Sequence, residues 1–501
     1  MKNNSNDTRS ANNHFWKTLF STQRKFNAYP SVKGLFNPKT YAFLAATFIL
    51  LLNCAELTAQ ALNNQIKDVV MPSPNAASLG KYGDIPVSYH TGVPNVGIPI
   101  YTLPEGSISL PISLSYHAGG VKVGEPCSWV GLNWSLQAGG MISRMVQGRV
   151  DESAGGYMST GQFLTAAGLQ QPQVAATDIA SGFKDGEPDI FSFSVGGYSG
   201  KFYIGTQTYS ALTGTAVVVP KQDVKVEYFL RSGFGANRLY KFKVTTPEGV
   251  IYEFGDLNDA SATPNAPIEI SQPAGYFWHA NGWYLSRITS PDLVSTINLT
   301  YTAEEYRQFS KNSPGSTQSN TSGGGVLGVN YTDYQGWRLS TITTQSGTLV
   351  APEKVTFVAG SPRTDILQLT SASVANTGKE AKTLASITIE NGTACKSFNL
   401  TQSYWTDNSP NAFVPMNGAG LEANKRLRLT SVQEQSCSGT PQITLPATTF
   451  TYYNQSGDVD FLPNRYSSAI DHWGYYNGAT TNPAGGFNIP YTRVTYYRPD
   501  V

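Results

Sequence analysis

Side chains able to do chemistry are few in this chain, and they are scattered. Five histidines occur: His14, His90, His117, His279 and His472. His90 and His117 sit in matching contexts, SYHTG and SYHAG. Two imidazoles at strand ends have the right donor type for a metal, but the matched setting points to a repeated structural turn. Asp185, Glu187 and Asp189 offer hard oxygens of the kind calcium takes, while Pro188 and the strand that follows make them an ordinary solvated turn. A glycosidase needs two carboxylates across a cleft. Asp151, Glu152, Asp189 and Asp471 are candidates, and their spacing brings no pair together. HExxH, GxSxG, a P-loop and a helix-opening GxGxxG are all absent. The expectation is a protein that is not an enzyme, with no metal and no cofactor.

Cysteines and aromatics are the remaining reactive or adhesive groups. Cys395 opens one strand-like run and Cys437 closes another. If those runs pair antiparallel, opposed residues share a constant index sum, so Cys395 opposite Cys437 places Trp405 opposite Leu427. A disulfide there would fit an oxidising compartment; two free buried thiols are the alternative. Cys127 is left over and reads as a small buried apolar residue. Trp278 and Trp283 lie in YFWHANGWY, and Trp473 in DHW. Indole faces stack on sugar C–H groups, so these three are candidate ligand-binding aromatics, although the same residues serve as strand-face core.

These groups must be held by β-structure. The chain has 501 residues with 48 Gly, 28 Tyr and only 14% charged side chains, a composition suited to pleated surfaces and tight turns. Residues 1–40 carry seven Lys/Arg and one acidic residue. The apolar run Tyr41–Leu52 and the small-x-small pattern Ala59-Gln-Ala61 follow, as in an export signal. A lipid anchor at Cys54 is disfavoured by Asn53. The rest of the chain is mildly acidic and lacks a basic patch, which argues against nucleic-acid partners. Secretion or a cell-surface location is expected.

Short alternating runs bounded by Gly and Pro predict an all-β fold of short antiparallel strands and stacked β-hairpins. Residues 1–61 read as the targeting segment and 62–150 as an N-terminal, sandwich-like β region. A β-meander follows over 151–275, with a softer insertion at 153–181. Glu187–Val195 and Gly200–Ile204 read as a hairpin across Gly196–Gly200. Hairpin repeats occupy 276–460, with a Gly/Ser-rich insertion at 312–325. Residues 461–501 read as the start of a next repeat region, cut short. The repeat signal is Leu285-x-x-Ile288, Leu339-x-x-Ile342, Leu384-x-x-Ile387 and Leu429-x-x-Val432, with starts 54, 45 and 45 residues apart. One hairpin cannot bury its own apolar face, whereas stacked neighbours can.

The densest motif runs from Ser115 to Arg144. Trp129, Leu132, Trp134 and Leu136 alternate roughly as inward positions, with Gly131, Gly139 and Gly140 at bends. Gly131-Leu-Asn-Trp-Ser-Leu136, then Gly139-Gly140, then Ile142-Ser-Arg144, resembles the "GLGWSL…GG…I.R" signature of RHS/YD-repeat proteins and of the B components of bacterial Tc toxins. Asn133 stands where that signature has Gly, and Asn is the next-best residue for a positive φ. The run from Pro72 to Leu103 and the segment from Asp471 to Gly478 also resemble that family. The resemblance implies a secreted, non-catalytic segment of a surface or toxin-delivery protein, whose hairpins build a β-sheet shell around a C-terminal effector absent from this chain. The implied partners are downstream repeats, an effector domain or another chain. A stand-alone module binding surface glycans and a carbohydrate-active enzyme are the competing expectations.

Overall fold

The computed structural model describes residues 87–476 apart from internal stretches, the longest being 161–176, 312–328, 408–421 and 453–461. The expected export signal, the Gly/Ser insertion, His472 and the C-terminal region beyond 476 lie outside the described residues. All described residues belong to one compact unit that starts at Ile85. The fold is all-β, and the main helical piece is the four-residue turn Tyr157–Thr160 in the softer insertion.

The first layer is a three-stranded antiparallel sheet of β1 (Asn95–Glu105), β2 (Ile108–His117) and β3 (Trp134–Gln137). Strand β2 alternates strictly: Ile108, Leu110, Ile112 and Leu114 are buried and the residues between them are more open. That period of two is what a half-buried strand requires.

A closed barrel follows. Its strands are β4 (Met141–Met145), β5 (Ile190–Val195), β6 (Tyr198–Tyr203), β7 (Thr213–Thr215), β8 (Val217–Val219), β9 (Lys225–Gly233), β10 (Ala236–Thr245) and β11 (Ile251–Gly255). Strand β12 (Ile268–Pro273) then leads into β13 (His279–Thr289), which pairs with both β11 and β4. The run 213–219 makes the closure. Its first half pairs with β9 and its second half with β6, with Ala216 at the bend. Where an open β-meander was expected, this bent strand joins the two sheet edges and removes them. The hairpin of β5 and β6 is also tighter than expected, with Val195 opposite Tyr198 across Gly196 and Gly197, both at positive φ.

Aromatic rings fill the barrel. Phe191 stacks on Phe202 at 5.1 Å, and Phe242 meets the indole of Trp283 edge-on at 4.9 Å. The Trp283 Nε1–H donates to Leu239 O at 3.1 Å. Outside, Glu227 bridges Lys225 and Lys243, and Arg287 pairs with Glu253. An apolar interior with charges outside is the reverse of a barrel built to cross a bilayer.

The barrel opens into a long sheet through β13. Its strands are β14 (Thr296–Lys311), β15 (Val329–Gln345), β16 (Lys354–Pro362), the short β17 (Leu367–Gln368), β18 (Lys382–Asn391), β19 (Ala394–Thr406), β20 (Lys425–Ser436) and β21 (Thr448–Thr449). The strands pair as an antiparallel run from β13 through β14, β15, β16, β18, β19 and β20 to β21. Cys395 and Cys437 are joined in a disulfide with Cα atoms 5.3 Å apart, at one end of the β19–β20 pair.

Each Leu-x-x-Ile unit coincides with a β-bulge. Residues three apart face opposite sides of a regular strand, yet both apolar members of every unit are buried. The pairing explains this. Register skips one residue at Ser286, Ser340, Ala385 and Thr430, each immediately after the Leu. The extra residue turns the Ile or Val back to the core face. A fifth unit, Leu239-x-x-Phe242, has its bulge at Tyr240 in β10. The Thr430 bulge also corrects the expected pairing of β19 with β20: Trp405 lies opposite Arg426, and Tyr404 takes Leu427.

Candidate functional site

The segment 118–140 is a strap laid across the row of bulges. It leaves β2, turns through a loop fixed by Ser128, and returns along β3. The Ser128 hydroxyl donates to Trp134 O and accepts from the Val130 and Gly131 amides. The strap then bonds three bulged strands through its backbone. Leu285 N donates to Gly140 O, Leu384 N to Trp129 O, and Leu132 N to Leu427 O, at 2.7–3.0 Å. The Gln402 amide clamps the Trp129 and Val130 carbonyls at 3.0 and 2.7 Å.

Close approach explains the glycines. A Cβ on Gly131 would lie 2.9 Å from Leu429 N, and one on Gly139 would lie 3.0 Å from Leu299 Cδ2. At Gly131 the obstacle is sheet backbone, which would have to move, whereas at Gly139 it is the tip of the Leu299 side chain. A Cβ on Gly140 would lie 3.4 Å from the Ser194 carbonyl oxygen. Asn133 has φ 61° and donates to His117 O and Gly120 O, so its side chain offsets the conformational cost. Leu132 and Trp134 are buried, while Trp129 and Leu136 are half-buried and packed on the core. The Trp134 ring meets Phe450 at 4.9 Å and Tyr116 at 5.2 Å. Its Nε1–H donates to the Tyr452 hydroxyl, which in turn donates to Leu429 O. The strap is thereby tied to the bulge of β20.

The acidic candidates lie elsewhere. Asp151, Glu152 and Asp189 do converge, but on Arg144. The guanidinium donates to Asp189 at 2.7 Å and to both Glu152 oxygens, over the Phe191 ring. Asp151 and Asp189 also accept each other's backbone amides. Burial pushes the Asp151 carboxyl up to about 8, helped by the neighbouring Asp189 charge. An arginine paired with Glu152 and Asp189 makes this a structural knot, in which Asp151 Oδ2 is buried without a hydrogen bond. Asp185 accepts the Arg149 and Glu187 amides, and Asp471 those of Trp473 and Tyr475, so both organise turns. Among the described residues, no group of three His, Cys, Asp or Glu is placed to hold a metal. His90 and His117 are exposed.

Of the three candidate ligand-binding tryptophans, Trp278 is 37% and Trp473 70% exposed. Trp283 is fully buried as the plug of the barrel, which removes it from any ligand-facing set. Cys127, within the strap, sits in a second core with Leu132, Trp405 and Leu427, and burial pushes its thiol up to about 12. Beside it, Arg426 is 2% exposed, and burial lowers its guanidinium to about 10. Its Nη2 donates to Val123 O and Pro463 O.

One group has no counterpart among the sequence candidates: Glu269 of β12, Glu304 of β14 and the tyrosines around them. Register brings them together, because β15 pairs with both β12 and β14. No short-range spacing signals a pair 35 residues apart.

No family model matches the chain, and no curated protein matches it. Among the described residues, no helix is long and apolar enough to cross a membrane.

Proposed function

We propose that this unit is a non-catalytic wall segment of an exported RHS-type surface or toxin-delivery protein. In this reading the bulged hairpins form part of a shell around an effector carried by residues beyond this chain or by another chain. The row of bulges under one strap carries the proposal. A bulge of the same type recurs in successive hairpins, and each bends the sheet and increases its twist. A sheet extended by repeating that unit curves progressively, as a container wall must.

The test is to capture the native product from its source cells with antibodies against residues 95–145. Its mass and protease resistance would then be measured. The proposal expects a larger product, or a stable complex with a second chain, in which a further domain stays protected until the wall is denatured. A monomeric product with nothing enclosed would overturn it.

A further inference from the structure

The connection from β4 to β5 folds back at the end of the barrel where β4 leaves and β5 enters. Its two described parts, 146–160 and 177–189, bond to each other. Asp185 N donates to Gly155 O at 2.8 Å, and Arg149 Nε donates to Gly182 O at 2.8 Å. Together they make a flap, and the knot around Arg144 fastens it. Arg144 lies over the Phe191 ring and also donates to Ala280 O of β13. Phe191 in turn touches Phe202, Phe242 and Trp283, so the knot covers one end of the aromatic filling.

The knot sets three carboxyl groups against one guanidinium. Glu152 and Asp189 both pair with Arg144, and the side chains of Arg144 and Asp189 are wholly buried. Asp189 also accepts the Gln147 and Asp151 amides. Asp151 is buried beside them. Its Oδ1 accepts the Asp189 amide, its carbonyl accepts the Met158 amide that opens the helical turn, and its Oδ2 has no hydrogen bond. Three ionised carboxylates would leave an uncompensated excess of negative charge out of water. A proton on one of them removes that excess, and Asp151 is the one that makes no ion pair with Arg144.

The groups acting on Asp151 come from every element packed on it. They are Arg144 from β4, Glu152 beside it in the flap, Asp189 at the entry to β5, and Tyr157 of the helical turn, which itself faces Tyr203 of β6. Burial, then the Asp189 charge, pushes Asp151 up to about 8. Burial raises Asp189 as well, although Arg144 pulls it down. Burial raises Tyr157, which keeps it neutral in this range.

We propose that the β4–β5 connection is an alkaline-sensitive flap, closed while Asp151 is protonated and released from the barrel end when Asp151 ionises beside Asp189 and Glu152. The sign follows from linkage: the folded state holds this proton more tightly than the unfolded chain does. Closure is therefore complete at low pH and is lost as pH rises through the folded value.

The proposal goes beyond the wall reading and fails independently of it. Trypsin cleavage after the exposed Arg149 is timed on the full chain at about pH 7 and pH 9.5. Each rate is divided by that for an unstructured peptide of the same local sequence. The ionised fraction of a group titrating near 8 rises about tenfold over that interval, so normalised cleavage should rise about tenfold. Cleavage after Lys225 on the barrel should not rise. Asp151→Asn keeps the Oδ1 acceptor and cannot ionise, so it should stay at the low rate at both pH values. Asp151→Ser is the smaller neutral substitute if Asp151→Asn does not fold, as judged by its unfolding midpoint at pH 7. A flat profile in wild type, an equal rise in the neutral variant, or a parallel rise at Lys225 would overturn the proposal.

Discussion

The barrel and the open sheet solve the same problem in different ways. Both have an apolar face to hide. The barrel rolls that face inward, closes through the bent run 213–219, and fills the lumen with Phe191, Phe202, Phe242 and Trp283. Among the described residues, no pairing joins β21 back to β14. The open sheet bulges at a fixed place in successive hairpins, so that Leu339, Ile342, Leu384, Ile387, Leu429 and Val432 share one face, and it borrows segment 118–140 as a cover. The barrel is locally self-sufficient. The sheet depends on residues up to about 300 positions away, as in the contact of Trp134 with Tyr452.

Removing a bulge should produce the largest effect. Deleting Ser340 leaves Leu339 and Ile342 two apart, so both still face the core, but it removes the bend and extra twist that the bulge gives the sheet. The expected outcome is a fall in the urea-unfolding midpoint well beyond that of Ser340→Gly, which keeps the bulge. Equal midpoints for the two would mean that the bend at Ser340 contributes nothing to the sheet.

Truncating the tryptophans separates the two regions. Trp283→Ala and Trp134→Ala should each cost roughly 3–5 kcal/mol in urea unfolding. The first should loosen the barrel, and the second the sheet under the strap. A near-neutral Trp134→Ala would remove that residue from the core.

A smaller effect belongs to Asp151, whose carboxyl is raised to about 8 by burial. Its folded pKa lies above its unfolded value, so its contribution is full below about pH 4. That contribution is lost as pH rises through 8, because the unfolded chain ionises first. Asp151→Asn should therefore gain stability relative to wild type between pH 5 and pH 9, on the order of 2 kcal/mol. A pH-independent difference would contradict the assignment.

Period-two alternation made the β class legible from residues such as Ile108, Leu110, Ile112 and Leu114. The recurrence of Leu-x-x-Ile was equally plain, but its meaning was not. A spacing of three contradicts a flat strand, and the one-residue insertion that resolves it appears only in the pairing. Closure of the barrel was hidden for a similar reason, since residues 213–219 carry no signal that their halves pair with different strands. Trp283 stays open between core and ligand face in the sequence, because indoles in a lumen and indoles on a ligand face share the same neighbours there. Glu269 and Glu304 could not be paired, because the ladder that brings them together runs through β15.

The most direct test of the strap is amide hydrogen exchange at Leu132, Leu285 and Leu384, whose N–H groups bond across it. The account predicts protection comparable to the barrel strands in wild type, lost together at all three sites in Trp134→Ala while the barrel amides stay protected. Exchange at all three as fast as at the two-residue edge strand Thr448–Thr449 would show that the strap does not hold the sheet.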